Sequence, residues 1–374
     1  MQKLKIFHFI PNSVGLKKFI LPCYANSRKY KYPCTIIYSN IYSEKKNLKK
    51  KTKLNFLRIN NFKLGPNIFI TLVAFFEILK LIINLRPKLV VAHFTLGATL
   101  PLMSAKLLCV KHRIYFNHGV SYQSYYGFIG LCLRMIEKIN IWLSTEVLTV
   151  SKGCQKKLKK LSTNKPVKLI NHGSAAGLKL PKYSFKKLSK IKTIAKATLG
   201  YKPTDIVIMY VGRDVARKGI FEVKNIIDQL KEKKFRFIIA GIQNKEFIKK
   251  LKNKKVKFIK FQNKLDNFYF ASDFVILPSK HEGFGYSLAE GAVNGCIPLA
   301  SNVDGPKDII INGHSGYLIG LNNTHKYVKY INLFSANRSL MKFFSYNAFR
   351  SIQKYDKNIF TKYYHKYFGE FLNK

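Results

Sequence analysis

His281 to Gly295 reads His-Glu-Gly-Phe-Gly-Tyr-Ser-Leu-Ala-Glu-Gly-Ala-Val-Asn-Gly, setting Glu282 and Glu290 eight residues apart around Gly283, Phe284 and Gly285. The chain holds 18 acidic residues against 67 Lys and Arg, so two carboxylates in one glycine-rich run are more than surface solvation. An apolar run, Phe274-Val-Ile-Leu277, and a Pro-Ser turn precede them, which predicts strand, turn, helix in that order. Glu282 then lies in the turn and Glu290 about one and a half turns into the helix. The N–H groups at such a helix start suit the oxygens of an anionic, polyhydroxylated ligand. The plain alternative is a capped helix with a surface Glu.

A second group sits about 70 residues upstream. Val211-Gly-Arg-Asp-Val-Ala-Arg-Lys-Gly-Ile220 follows another apolar strand. It presents Arg213 and Lys218 at the strand's carboxyl end, next to a predicted helix start. A guanidinium can grip a diphosphate with two parallel hydrogen bonds, and an ammonium adds a point charge. In so basic a chain a pair of cations means little alone; the cations followed by the carboxylates mean more.

The elements that must hold these groups alternate. Strand-like runs fall at Lys5–Ile10, Thr35–Tyr38, Leu89–His93, Ile114–Asn117, Val147–Val150 and Val167–Ile170, and again at Ile206–Val211, Phe235–Ala240, Phe258–Phe261, Phe274–Leu277 and Ile297–Ala300. Helical periodicity separates most of them, as at Phe221–Leu230, Tyr286–Asn294 and Tyr126–Leu143. In the last, Phe128, Leu131, Met135, Ile139 and Trp142 recur at spacings of three and four. Two such series predict two doubly wound parallel α/β domains, with ligands outside the carboxyl ends of the strands. The expected division is 1–175, a linker over 176–200 with one lead-in helix, 201–345, and C-terminal helices over 346–374 packing back on the first domain.

Composition narrows the class. At 374 residues and 47% hydrophobic content the chain is globular and long enough for two domains. Its six Cys are scattered, with no C-x-x-C and no His partner at metal spacing, which points to reduced thiols rather than a disulfide framework. The N-terminus runs almost directly into a strand without a signal peptide's apolar stretch, so export by that route is not expected. Ile68 to Leu85 is the most apolar stretch, but Glu77 and Lys80 interrupt it; it reads as a buried or half-buried helix rather than a span of about 20 apolar residues. The net charge is +49, and residues 1–175 hold 30 Lys and Arg, four Glu and no Asp. An anionic membrane surface and nucleic acid would each answer that charge. Lys45–Lys53 is the one short low-complexity run, equally readable as a solvated loop or a membrane contact.

On these residues the second half resembles the donor-binding half of family 4 retaining glycosyltransferases, enzymes of the GT-B fold, in which two Rossmann-like domains face a central cleft. The matching text is Val211-Gly-Arg213 with Lys218-Gly, Leu277-Pro-Ser-Lys-His-Glu-Gly-Phe-Gly285, Glu290, Gly305-Pro-Lys-Asp308 and Asn312-Gly-His-Ser-Gly316. Upstream, Arg86-Pro-Lys-Leu-Val-Val-Ala-His93, Asn117-His-Gly119, Val150-Ser151 and Asn171-His-Gly-Ser174 extend it over nearly the whole chain. The resemblance implies that Arg213 and Lys218 hold the donor diphosphate. It gives the donor sugar to Glu282 with the amides of Gly283, Phe284 and Gly285, and the nucleotide ribose to Glu290. It implies that His118 faces the sugar from the first domain and that Gly15 lets the first loop approach the donor. His93, His172 and His281 read as structural. The first loop has one Gly where many relatives have two, and Lys179 stands where capsule and O-antigen transferases commonly have Asp.

The resemblance implies a nucleotide-sugar donor, UDP-linked by preference, and no metal, since no Asp-x-Asp occurs. It also implies a lipid-linked or membrane-associated glycan acceptor and a place in cell-surface polysaccharide biosynthesis. Ser121-Tyr-Gln-Ser-Tyr-Tyr-Gly-Phe128, with Arg134 and Lys138 on the helix that follows, suits such an acceptor at the inner membrane surface; core packing of a long helix is the alternative. The expected location is cytoplasmic, peripheral on the inner face of the membrane. Two other classes stay open, a nucleotide-sugar epimerase of the same fold and a basic nucleic-acid-binding protein. The latter lacks a helix-turn-helix, zinc or RNP-type motif, and no nucleic-acid partner is expected.

Overall fold

Runs such as Ile6–Ile10 and Leu89–His93 are buried at every position, the pattern of parallel strands covered on both faces rather than of a half-exposed sheet. A computed structural model describes residues 6–24, 34–39, 54–59, 62–162, 164–251, 255–260, 262 and 264–371. The chain divides into two units, Met1–Gly177 with Lys357–Lys374, and Leu178–Asp356. The Lys45–Lys53 run lies outside the described residues.

Unit 1 runs β1 (Ile6–Ile10), helical turns over 13–24, β2 (Cys34–Tyr38), β3 (Asn55–Arg58), α1 (Ile68–Leu85), β4 (Leu89–His93), α2 (Thr95–Leu107), β5 (His112–Asn117), α3 (Gly127–Leu143), β6 (Glu146–Thr149), α4 (Lys152–Leu161) and β7 (Val167–Leu169). Unit 2 runs α5 (Phe185–Thr198), β8 (Ile206–Val211), α6 (Ile220–Gln229), β9 (Phe235–Ala240), α7 (Lys245–Leu251), β10 (Val256–Ile259), α8 (Asp266–Ala271), β11 (Phe274–Leu277), α9 (Tyr286–Val293), β12 (Ile297–Ser301), α10 (Asp304–Ile309), β13 (Tyr317–Ile319), α11 (Thr324–Ala336) and α12 (Arg338–Ser351). The final helix, α13 (Lys357–Glu370), belongs to unit 1.

Both sheets are parallel, ordered β3-β2-β1-β4-β5-β6-β7 and β10-β9-β8-β11-β12-β13. In each, the chain winds outward from one central strand and then outward on the other side from its neighbour. The direction therefore reverses between β1 and β4 in unit 1 and between β8 and β11 in unit 2. Loops leaving the carboxyl ends of such a pair diverge and open a crevice. This is the expected pair of doubly wound domains. The edge strands β3 and β13 were not foreseen; they are four and three residues long, too short for a clear alternating signal.

The structure bears on three of these readings. The lead-in helix expected within 176–200 forms as α5 and buries Leu188 and Lys196 within unit 2. Helix α1 is not a buried or half-buried core element, since only Ala74, Ile78 and Ile82 of its 18 residues are buried. One stripe meets the sheet, Phe75, Leu81 and Leu85 are half-buried beside it, and Phe69, Leu72, Phe76 and Ile83 are left exposed. In α3 the apolar stripe Phe128, Leu131, Met135, Ile139 and Trp142 is exposed, and the core face is Leu133, Glu137, Asn140, Ile141 and Leu143. The two polar core residues find partners on distant elements, although Asn140 Oδ1 is buried without one among the described residues. Glu137 accepts from Thr95 Oγ1 at 2.8 Å and Tyr115 Oη at 2.6 Å, while Asn140 Nδ2 donates to the Thr95 carbonyl at 2.8 Å.

The anchor of α5 is testable. Lys196 Nζ lies 2.7 Å from Asp273 Oδ2 and also donates to the Asp205 carbonyl, and both side chains are 7% exposed. Burial lowers the Lys196 pKa, and the Asp273 charge opposes that shift. Removing one partner of a buried pair strands the other, at a cost of about 3–5 kcal/mol. Lys196→Ala is expected to lower the unfolding midpoint of unit 2 by several degrees in calorimetry. An unchanged midpoint would show the pair to be energetically neutral.

Candidate active site

Unit 2 gathers four of the predicted groups at its β8/β11 reversal. Beyond β8 the chain passes through Gly212 and Arg213 into a 3-10 turn, Ala216–Lys218, before α6; beyond β11 it makes the 278–285 turn before α9. Gly219, at φ 74°, lies against the second turn: a Cβ there would sit 2.1 Å from the Pro278 carbonyl oxygen. Lys280 N–H donates to the Arg217 carbonyl at 2.9 Å, tying the loops again. Tyr210 Oη, at the end of β8, donates to the Lys218 carbonyl at 3.2 Å. The cation-bearing loop is thus pinned from below and from the side.

The result is an ion pair across 64 residues of sequence: Lys218 Nζ stands 2.5 Å from Glu282 Oε1. The side chains are 19% and 9% exposed, so the pair lies at a shielded rim rather than in open solvent. Arg213 is exposed and, among the described residues, held by no salt bridge. The Glu282 carbonyl accepts from Gly305 N–H at the start of α10. Phe284 is buried edge-on against Tyr355 at 5.0 Å, so its ring anchors the turn and only its backbone is left for a ligand. Gly285 caps α9 in the left-handed region, at φ 96°. Glu290 lies one turn along α9, where Oε2 accepts from Tyr269 Oη at 3.1 Å. Burial and then the Glu290 charge push the Tyr269 phenol far above its usual range, so it stays a donor and orients the carboxylate.

Unit 1 brings Gly15 and His118 to its own β1/β4 reversal, both against Phe94. A Cβ on Gly15 would lie 2.7 Å from the Phe94 ring, and that ring stacks on His118 at 4.4 Å. Phe94 holds φ 66° and ψ 150°, a strained backbone that costs about 1–3 kcal/mol and persists only where surroundings enforce it. His118 Nε2 is 2.9 Å from His93 Nδ1, His93 Nε2 is 3.0 Å from His8 Nδ1, and His8 Nε2 is 3.0 Å from Tyr24 Oη. Burial lowers the pKa of His8 and of His118 to about 3, so the rings are neutral near pH 7 and each has one N–H and one bare nitrogen. The chain of bonds therefore has a direction. If Tyr24 donates to His8, His118 Nδ1 carries a proton; if His8 donates to Tyr24, that nitrogen is a bare acceptor. His118 Nδ1 is buried and, among the described residues, without a hydrogen-bond partner, a gap that a ligand hydroxyl would fill.

Sequence reasoning missed Tyr210, Tyr269, His8 and Phe94, and gave His93 a purely structural role. Nothing local marks them, because each acts through a partner on another strand or helix.

Residues 191–351 match the family Glycosyl transferases group 1. The capsular polysaccharide biosynthesis glycosyltransferase CapM of Staphylococcus aureus is 24% identical over 218 residues, 55% of this chain and 56% of that protein. The uncharacterized glycosyltransferase MJ1178 of Methanocaldococcus jannaschii is 31% identical over 124 residues, 31% of this chain and 34% of its own. The chain spans about half the length, or less, of the curated relatives it matches. Among solved structures, Anabaena HepE in complex with UDP and glucose superposes with a TM-score of 0.77 at 14% identity, covering 98% of this chain and all of that one. The sucrose-phosphate synthase of Thermosynechococcus elongatus gives 0.78 at 15% identity, with 99% of each chain covered. The fold is that of GT-B glycosyltransferases, two parallel-sheet Rossmann-like domains. Neither the epimerase nor the nucleic-acid reading draws support from these matches.

Proposed function

We propose that the protein is a retaining, metal-independent glycosyltransferase of family 4. It would move a hexose or N-acetylhexosamine from UDP to a lipid-linked or membrane-associated glycan in cell-surface polysaccharide biosynthesis. The observation that carries this reading is the meeting of Arg213, Lys218, Glu282 and Glu290 at one strand reversal, inside the stretch matching the group 1 transferases. HepE is complexed with UDP and with UDP-glucose, and CapM is named for capsular polysaccharide; both support the donor and pathway chosen here.

The residues suit the chemistry. As the glycosyl C–O bond breaks, the diphosphate leaves with the bonding electrons, and Arg213 and Lys218 would neutralise that charge. Lys218 has two further N–H groups beyond the one facing Glu282, so it can meet a phosphate oxygen without releasing the carboxylate. Glu282 and the 283–285 amides would grip sugar hydroxyls, and Glu290 the ribose diol. The acceptor oxygen would attack on the face the diphosphate leaves, its proton passing to a phosphate oxygen. In unit 1, His118 Nδ1 would bond a substrate hydroxyl.

The test is a panel of nucleotide sugars with vesicle-borne polyprenyl diphosphate glycans, scored for nucleotide release and product anomer. Acceptor-dependent UDP release with retained configuration, unchanged by a chelator, is the expected result. Conversion of the nucleotide sugar to an epimer without any acceptor would overturn the transferase reading.

A further inference from the structure

We propose that unit 1 seats on an anionic lipid surface through the outward apolar faces of α1 and α3. The inference uses unit 1 alone and does not rest on the transferase reading.

The two faces share one side of the sheet. Register partners in a parallel sheet point the same way, which aligns Phe7 with Val90 and aligns Phe9, Ala92, Tyr115 and Val147 across four strands. Helix α1 packs its buried stripe against the first part of that surface, and α3 packs Ile141 and Leu143 against the second. Helix α2 lies between them and contributes to both cores through Leu100 and Leu102. The opposite stripes of α1 and α3 therefore look away from the sheet on its one side.

Those stripes are apolar and uncovered among the described residues. On α1, Phe69, Leu72, Phe76 and Ile83 are 75%, 48%, 63% and 53% exposed; their spacing keeps them on the face opposite Ala74, Ile78 and Ile82. A helix apolar all round normally has neighbours all round, and two such stripes on one side of the same sheet mark a binding surface. On α3, Phe128 and Trp142 at the two ends of the stripe are 79% and 64% exposed.

Charge selects the occupant. Lys80 stands within the α1 stripe, and Arg134 and Lys138 flank that of α3, all exposed. Against them stands one exposed carboxylate, Glu77, while Glu137 is buried. Lys106 holds its ammonium 3.0 Å over the Trp142 ring. Apolar stripes edged by cations are how helices lie in the interface of an anionic bilayer. A second copy fits badly, because a twofold contact would oppose these cations to themselves. Helix α1 is long and apolar enough to cross a membrane, but crossing would strip Ala74, Ile78 and Ile82 from the sheet, so the arrangement is in-plane.

Trp142 is the one tryptophan of the chain and makes the test direct. Phosphatidylcholine vesicles with an added phosphatidylglycerol fraction should shift its emission to the blue and float the full chain. Salt should reverse both effects, and phosphatidylcholine alone should give neither. Phe76→Glu with Met135→Glu should weaken flotation about tenfold or more, with an unchanged melting curve because both side chains are exposed. Lys80→Glu with Arg134→Glu should weaken it on anionic vesicles and leave the melt intact. The proposal is overturned if neither signal appears, or if either double variant binds as the parent does. It is equally overturned if the chain forms a dimer that Phe76→Glu dissociates and ignores vesicles. Nucleotide-sugar turnover in detergent is independent of all these readings, so failure here and failure of the transferase proposal are told apart.

Discussion

Glu282→Ala is expected to lower kcat/KM for nucleotide-sugar turnover about 10²- to 10³-fold, the loss typical of one preorganised electrostatic contact, while the Kd for UDP changes only a few-fold. Glu282 is 7% exposed and its carboxylate is spaced 2.5 Å from Lys218, so alanine removes both the proposed sugar contact and the group that aims the proposed phosphate cation. Glu282→Gln separates these effects, because it keeps the shape and one acceptor oxygen but abandons the charge. If aim matters most, Gln should fall close to Ala; if the hydroxyl contact matters most, Gln should fall between Ala and the parent. Lys218→Ala and the double variant complete a cycle, with a coupling of about 0.5–3 kcal/mol expected for groups in contact. Parent-like turnover in Glu282→Ala would sink the assignment of this turn to the donor sugar.

Glu290→Ala is expected to raise the Kd for UDP about 10- to 100-fold, from the roughly 1.5–3 kcal/mol that a charged hydrogen bond contributes. Calorimetric titration with UDP and with the free base separates the causes. A ribose contact predicts a large loss for UDP and none for the base. Tyr269→Phe is the companion. It deletes the hydroxyl that donates to Glu290 at 3.1 Å without touching a ligand in the proposed scheme, so its effect should be smaller and confined to affinity. Were Glu290→Ala to bind UDP as tightly as the parent, the ribose would have to be held elsewhere.

Much of this site was legible along the chain because its parts are local. A strand, a glycine-rich turn and a helix within twenty residues place Glu282 and Glu290 by geometry alone, and Gly219 before α6 marks the second loop. The alternation of strands and helices likewise exposed two doubly wound domains. The outward faces were harder to read, for a different reason: α1 was expected to be buried or half-buried, and for α3 core packing stood open beside an exposed face. Periodicity in α1 and α3 reports which residues share a face, not which way that face points. In α3 the apolar stripe turned out to face away from the sheet, because Thr95, Tyr115 and Asn117 offer Glu137 the hydrogen bonds that let a carboxylate be buried. Burial also raises that carboxyl's pKa to about 7, which eases its burial in neutral form.

Residue type and local order thus determined the fold class, the two loops and the carboxylates on them. These depend on backbone periodicity and turn chemistry, which act over a few residues. Tertiary structure alone decided that Lys218 meets Glu282 across 64 residues, that Tyr269 holds Glu290, and that His93, His8 and Tyr24 line up behind His118. It also decided that α1 and α3 turn their apolar stripes outward. Such pairings follow from which strands become neighbours and which polar groups find partners when buried, and neither is written in the spacing of a single segment.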